Sequence, residues 1–288
     1  MNQPAENIET PSRIAECLAR LDKEKKPALI TYTMAGDPNP KNSLAVMNSL
    51  VSAGSDIIEL GMPFSDPMAD GPTIQRAAIR ALKNGINVTK TLEQLYKFRQ
   101  ENDYTPVVLM GYYNPILKYG IEEFCHDAKL AGADGLIIVD LPPEEDAALH
   151  KSTQIKELDL IKLAAPTSDD KRMDIITQHA SGFVYFISMT GTTGTKTVNP
   201  STVMPHIKTL RKHTKLPIAV GFGIKTPEQA QEIGKFADAV VIGSAIVDVI
   251  EKNTITGTGT ALDQKLSADV YEFVEKISQA LKEVDKLY

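Results

Sequence analysis

The stretch DIIELGMPFSDPMADGP, residues 56–72, opens on Asp56 and then carries three more carboxylates within eleven residues of Glu59: Glu59 itself, Asp66 and Asp70. Ile57, Ile58 and Leu60 are what a buried strand demands, yet Glu59 sits among them. Strand side chains alternate faces, so Glu59 shares a face with Ile57 and opposes Ile58 and Leu60. Burial near the end of such a strand disfavours the anion. It raises the carboxyl pKa toward a value suited to proton transfer near neutral pH. The bland alternative is a buried glutamate paired with an arginine or a hydroxyl. Asp66 and Asp70 stand on the loop that follows, where aspartate also commonly caps a turn or the helix beginning near Pro72-Thr73. Spacing alone leaves both roles open.

Three other places could do chemistry. Gly221-Phe222-Gly223 and Gly243-Ser244 each follow an apolar run, and backbone amides in short Gly turns at a helix start bind phosphate without a lysine. The same glycines could merely permit tight turns. TGTTGTKTVNP (190–200) has the length and composition of a lid over a bound ligand, or of a plain surface loop. Lys162, inside the apolar run LIKLAAP, could be a Schiff-base lysine with a depressed pKa, or a lysine reaching to a carboxylate or solvent. Cys17 and Cys125 lack metal-ligand spacing and are expected to be reduced, packed thiols.

The elements that must position these groups are legible as eight runs. They are ALITYTMA (28–35), DIIELG (56–61), PVVLMGYY (106–113), DGLIIVD (134–140), LIKLAAP (160–166), FVYFISMT (183–190), PIAVGFG (217–223) and ADAVVIGS (237–244). Each is nearly continuous in apolar character, as parallel strands covered on both faces are. Between them lie helical periods: Leu44, Met47, Asn48 and Val51 form one stripe, and Phe124, Ala128 and Ala131 another. Asn39-Pro40 and Thr226-Pro227 read as capping residues ahead of a first-turn proline. AGSD (53–56) and AGAD (131–134), with Ala237-Asp238 as a shorter echo, repeat a helix end followed by a strand start.

Eight strands alternating with helices favour an α/β fold, a (β/α)8 TIM barrel, and the first strand ends without the G-x-G-x-x-G of a dinucleotide-binding sheet. We expect one domain over residues 1–288, with the barrel core about 27–252. An extra N-terminal helix spans about 10–24, with Ile14, Cys17, Leu18 and Leu21 on one face. A C-terminal helix spans about 265–286, with Val270, Phe273, Val274, Ile277 and Leu281 on its stripe. TITGTGTA (254–261) reads as a flexible link. In such barrels the active site lies at the carboxyl ends of the strands.

Composition narrows the function class. The 288 residues are 42% hydrophobic and 24% charged, ordinary for a globular enzyme, and the net charge of −6 argues against nucleic acid or an anionic membrane as partner. The cluster KEKK (23–26) reads as a solvated helix end. The start, MNQPAENIETPSRI, lacks a signal pattern, and no apolar run approaches the ~18 residues of a membrane span. A soluble, cytoplasmic protein is expected.

ELGMPFSDPMADGPTIQRA (59–77) closely resembles the signature of the tryptophan synthase alpha chain family. The resemblance continues through ITYTMAGDP (30–38), YYNPI (112–116), VDLPPEE (139–145), VYFISMTGTTG (184–194), VGFGIKTPEQA (220–230) and IGSAIV (242–247). It implies a barrel lyase that cleaves indole-3-glycerol phosphate to indole and glyceraldehyde 3-phosphate, with Glu59 and Asp70 as the catalytic pair. By the same resemblance Gly194, Phe222, Gly223, Gly243 and Ser244 bind the substrate phosphate. Tyr32, Tyr112, Ile137, Tyr185 and Thr193 surround the indole ring or the catalytic glutamate. Pro63, Asp66, Asn114 and Pro142 lie where a beta chain would dock in an alpha2-beta2 heterotetramer. No metal or organic cofactor is expected in this chain, and pyridoxal phosphate belongs to the partner. Met189, where arginine is common, and TKTVNP depart from the family in the lid; Lys162 and Tyr32 depart from it in the strands. Apart from a Schiff-base aldolase, the competing reading is a non-catalytic subunit that only activates a partner.

Overall fold

All eight apolar runs form strands, and each pairs in parallel with the next in sequence. They are β1 (Ala28–Met34), β2 (Ile57–Gly61), β3 (Val107–Gly111), β4 (Gly135–Ile138), β5 (Asp159–Ala164), β6 (Val184–Ile187), β7 (Ile218–Gly221) and β8 (Ala239–Ile242). β8 returns to β1, with Ala28 opposite Ala239, and closes the (β/α)8 barrel. The computed structural model describes residues 11–187, 200–221, 223–256 and 260–286.

The helices among the described residues are α1 (Arg13–Lys23), α2 (Pro40–Ser52), α3 (Pro72–Lys83), α4 (Val88–Arg99), α5 (Tyr113–Tyr119), α6 (Ile121–Ala131), α7 (Ala147–Ile155), α8 (Asp170–Gln178), α9 (Pro200–Leu210), α10 (Pro227–Gly234), α11 (Ser244–Thr256) and α12 (Thr260–Lys282). None of them is long and apolar enough to cross a membrane. The expected caps form: Asn39 accepts from the amide of Asn42 ahead of Pro40, and Thr226 from that of Gln229 ahead of Pro227.

The repeated Asp before a strand has a structural cause. The carboxylates of Asp56, Asp134 and Asp238 accept the backbone N–H groups of Leu29, Val107 and Ile218 at 2.9, 2.7 and 2.8 Å. Each aspartate thus ties the start of its own strand to the strand before it. Glycine precedes two of them because Gly54 and Gly132 have φ of 98° and 95° at the helix ends.

α1 plugs the amino-terminal mouth. Ile14, Leu18 and Leu21 pack with the interior residues Ala28, Ile30, Ile57, Val108, Ile137 and Ile161, while Arg13 and Arg20 reach the strand-start acids Asp134 and Asp56. That helix covers the amino-terminal end of the barrel interior. α12 lies outside against α2, α10 and α11, and buries Val270, Val274, Ile277 and Leu281, with Phe273 partly buried.

Two expectations need correction. The buried face of α2 is Val46, Met47 and Leu50, whereas Leu44, Asn48 and Val51 are half-buried on its flank. The expected stripe of Leu44, Met47, Asn48 and Val51 shares Met47 with the buried face, and periodicity alone does not fix which flanking positions join it. TITGTGTA is not one open link: α11 continues to Thr256 and α12 starts at Thr260. Cys17 and Cys125 are free thiols pushed up to about 11 by burial, as expected of packed cysteines.

Candidate active site

Glu59 lies inside the barrel. On β2 it is opposite Tyr32 of β1 and Val108 of β3, two other inward positions, and it is 1% exposed. Its Oε1 has no hydrogen-bond partner among the described residues. Burial alone pushes its carboxyl from 4.5 to about 8. At neutral pH it is a protonated acid facing a cavity.

Asp70 faces the same cavity from the loop between β2 and α3. It does not cap α3; Gly71 occupies that position and makes no side-chain cap bond. The Tyr112 hydroxyl instead accepts the amide of Ala69 at 3.0 Å and stands close enough to the Asp70 carboxyl to lower its pKa. Burial raises Asp70 to about 6 against the lowering effect of Tyr112, so it is ionised at neutral pH. The Phe64 ring lies 5.1 Å from that of Tyr112 and helps fix the loop.

Gly223, Ile224, Gly243 and Ser244 form another part of the wall. Ser244 is the first residue of α11, so the unsatisfied N–H groups and the positive dipole end of that helix meet the cavity there. Tyr32, Ile74, Met110, Tyr185 and Val241 complete the lining, and the space is about 530 Å³ including its mouth. The cavity brings together two carboxylates, an anion-binding helix start, and aromatic and aliphatic side chains. A flat ring bearing a phosphorylated side chain fits that arrangement.

Tyr32 and Tyr185 lean over two glycines, Gly61, which the sequence did not single out, and Gly221, which it marked only as part of a phosphate-binding turn. A Cβ on Gly61 or Gly221 would stand 2.2 Å from Tyr32 Oη or Tyr185 Oη, respectively. Both hydroxyls are buried, which raises their pKa, and the nearby Glu59 charge raises it further. Gly221→Ala should therefore lower kcat about tenfold or more by displacing the Tyr185 ring. Adding Tyr185→Phe should recover part of the loss, and steady-state kinetics of the three variants checks this. Ile74, Met110, Ile224 and Val241 also went unnamed. Their signal is only inward or helix-start placement, which becomes visible once the register is known.

Other expected site residues fall elsewhere. Ile137 faces the barrel interior opposite Met110, below the cavity wall. Thr193, Gly194 and Phe222 lie outside the described residues, as do Met189 and the lid sequence up to Asn199. Of the proposed docking residues, Asp66, Asn114 and Pro142 are exposed on loops or helix starts at the carboxyl end, but Pro63 is buried.

Lys162 does not face the cavity. It points to the helix layer, where its Nζ lies 2.5 Å from Oδ2 of the fully buried Asp146, which also holds His179 Nδ1 at 2.9 Å. Burial raises the Asp146 pKa, but the bonds from Lys162 and His179 outweigh it and hold the carboxyl below its ordinary value. The Schiff-base reading fails on this placement. Lys162→Met should lower stability by about 3 kcal/mol, because a buried charge loses its partner. It should leave kcat unchanged; thermal melts and steady-state rates on one preparation measure both.

The family model for the tryptophan synthase alpha chain matches residues 18–282. Among solved structures, tryptophan synthase subunit alpha from Legionella pneumophila str. Paris is 38% identical with a TM-score of 0.87, over 96% of this chain and 100% of that one. A Mycobacterium tuberculosis tryptophan synthase chain is 32% identical with a TM-score of 0.84, over 95% and 99%. With matches of this extent on a closed barrel of the same kind, the chain belongs to the tryptophan synthase alpha chain family, lyases that act on indole-3-glycerol phosphate.

Proposed function

We propose that Glu59 shuttles the proton and Asp70 supplies the fixed anion for retro-aldol cleavage of indole-3-glycerol phosphate. The bond to be broken joins ring carbon 3 to a hydroxyl-bearing carbon, and a ring carbanion is a poor leaving group. Protonated Glu59 gives its proton to carbon 3, and the ring becomes a cationic indolenine. Asp70, against the ring N–H, stabilises that charge and takes up the N–H proton. The Glu59 carboxylate then removes the side-chain hydroxyl proton, the carbonyl of glyceraldehyde 3-phosphate forms, and the carbon–carbon electrons return to the ring. Asp70 gives the nitrogen its proton back as neutral indole departs. Positioned proton transfer is worth roughly 10²–10⁴ in rate. The observation that carries this reading is Glu59 Oε1, buried and without a partner among the described residues, in a cavity shared with Asp70.

Gly223, Gly243 and Ser244 anchor the phosphate, joined by Gly194 and Phe222, while Tyr32, Tyr112, Ile137, Tyr185 and Thr193 hold the ring and the glutamate. Exposed Asp66, Asn114 and Pro142 meet a beta chain in an alpha2-beta2 heterotetramer in the cytoplasm, with pyridoxal phosphate in the partner and no cofactor required here. The chain acts as one barrel domain. Cleavage run in deuterium oxide with the isolated chain tests the assignment. Indole should emerge with deuterium at carbon 3 and Glu59→Gln should release none; Glu59→Gln with undiminished release would refute it.

A further inference from the structure

We infer that the hydrogen bond between Thr73 and Asp248 is a positioning link that sets Asp70 at a fixed distance from the phosphate end of the site. The inference rests on the roles proposed above for Asp70, Gly243 and Ser244. Neither Thr73 nor Asp248 lines the cavity, so neither is expected to touch substrate.

Asp70 lies two residues ahead of α3, whose own start is weakly specified. Its cap is Gly71, without a side-chain bond, and its first turn has no acidic residue. An acceptor and a negative charge are what such a helix start lacks. α11 supplies a nearby negative charge: Thr73 Oγ1 donates to Asp248 Oδ1 at 3.0 Å, although the two residues are 175 apart in sequence. Thr73 is three positions after Asp70, and Asp248 is four after Ser244, one helical turn from the phosphate end. The bond is therefore a short bridge between the loop that holds the acid and the helix that holds the anion.

Below this bridge the two helices are locked together, so the link has a rigid base. Arg76 forks onto both carboxylate oxygens of Glu251 at 2.7 Å each and lies 3.9 Å from Asp248 Oδ1. Arg80 binds Glu251 at 2.9 Å and reaches the fully buried Asp37 with two bonds of 2.6 and 2.9 Å. Ile74 and Val247 belong to one apolar cluster across the same seam. At the top of the seam the contacts converge on the Thr73 hydroxyl, which also accepts from Arg76 Nη2 at 3.4 Å. A phosphate that orients the start of α11 thereby orients Asp70, and binding energy at the remote end of the substrate is realised in kcat.

The test uses the full chain and indole-3-glycerol phosphate as substrate. Thr73→Val and Asp248→Ala should each lower kcat about tenfold with KM changed less than about twofold, as expected of misplacement without lost substrate contact. The double variant should be no slower than either single, because both break the same Thr73–Asp248 bond and its contacts with Arg76, and Thr73→Ser should restore the wild-type rate. Thr73→Val with wild-type kcat, multiplying losses in the double variant, or no rescue by Thr73→Ser would overturn the link. Asp70→Asn in the same series separates the two levels. If it retains full activity, the role of Asp70 is wrong; if it is inactive while Thr73→Val is unimpaired, only the link is wrong.

Discussion

Glu59→Gln is expected to lower indole release by roughly 10³-fold or more, since the amide can neither give a proton to carbon 3 nor take one from the hydroxyl. The same substitution should make the protein more stable in alkali. The folded-state value of about 8 lies above the carboxyl's ordinary 4.5, so at neutral pH the folded chain holds a proton that the unfolded chain has released. The stability belonging to that proton is complete below about pH 4.5 and is lost as pH rises to about 8. Glutamine does not titrate and suffers no such loss. The melting-temperature difference in favour of Glu59→Gln should therefore grow across that interval and level off above it, with a full extent on the order of a few kcal/mol. Paired melts across pH measure this, and the rate loss comes from the same samples.

Asp70→Asn is expected to cost roughly 10²-fold or more in kcat/KM, because a neutral amide cannot stabilise the cationic ring as a carboxylate does. Its pH profile is the more specific test. In the wild type Asp70 must be ionised and Glu59 protonated. kcat/KM should therefore rise through about pH 6 and fall through about pH 8. The asparagine variant should lose the acid limb and keep the alkaline one. An unchanged acid limb would assign that ionisation to some other group.

Much of this was readable before any coordinates, because the signals are local. The eight strands follow from apolar runs bounded by turn residues, and Glu59 was conspicuous as a charge within one of them. Asn39 and Thr226 announced helix starts through their own side chains, and the Ala-Gly-x-Asp repeat marked positions where a carboxylate ties two strands. What stayed hidden depends on distant partners. A continuous apolar run does not reveal which way Lys162 points, and its partner Asp146 belongs to another element. The face of α2 is ambiguous in the sequence because Met47 lies on both the expected stripe and the buried one. Gly61 and Gly221 matter only for tyrosines on neighbouring strands, and Pro63 looked like an interface residue until its burial was seen.

The claim on which the mechanism stands is that Glu59 is a neutral acid at pH 7. Infrared difference spectra of wild type against Glu59→Gln at that pH address it directly. The account predicts a protonated carboxyl band that vanishes in the variant and, in the wild type, converts to carboxylate only near pH 8. A carboxylate signal for Glu59 already present at pH 7, with no protonated band lost on substitution, would contradict it.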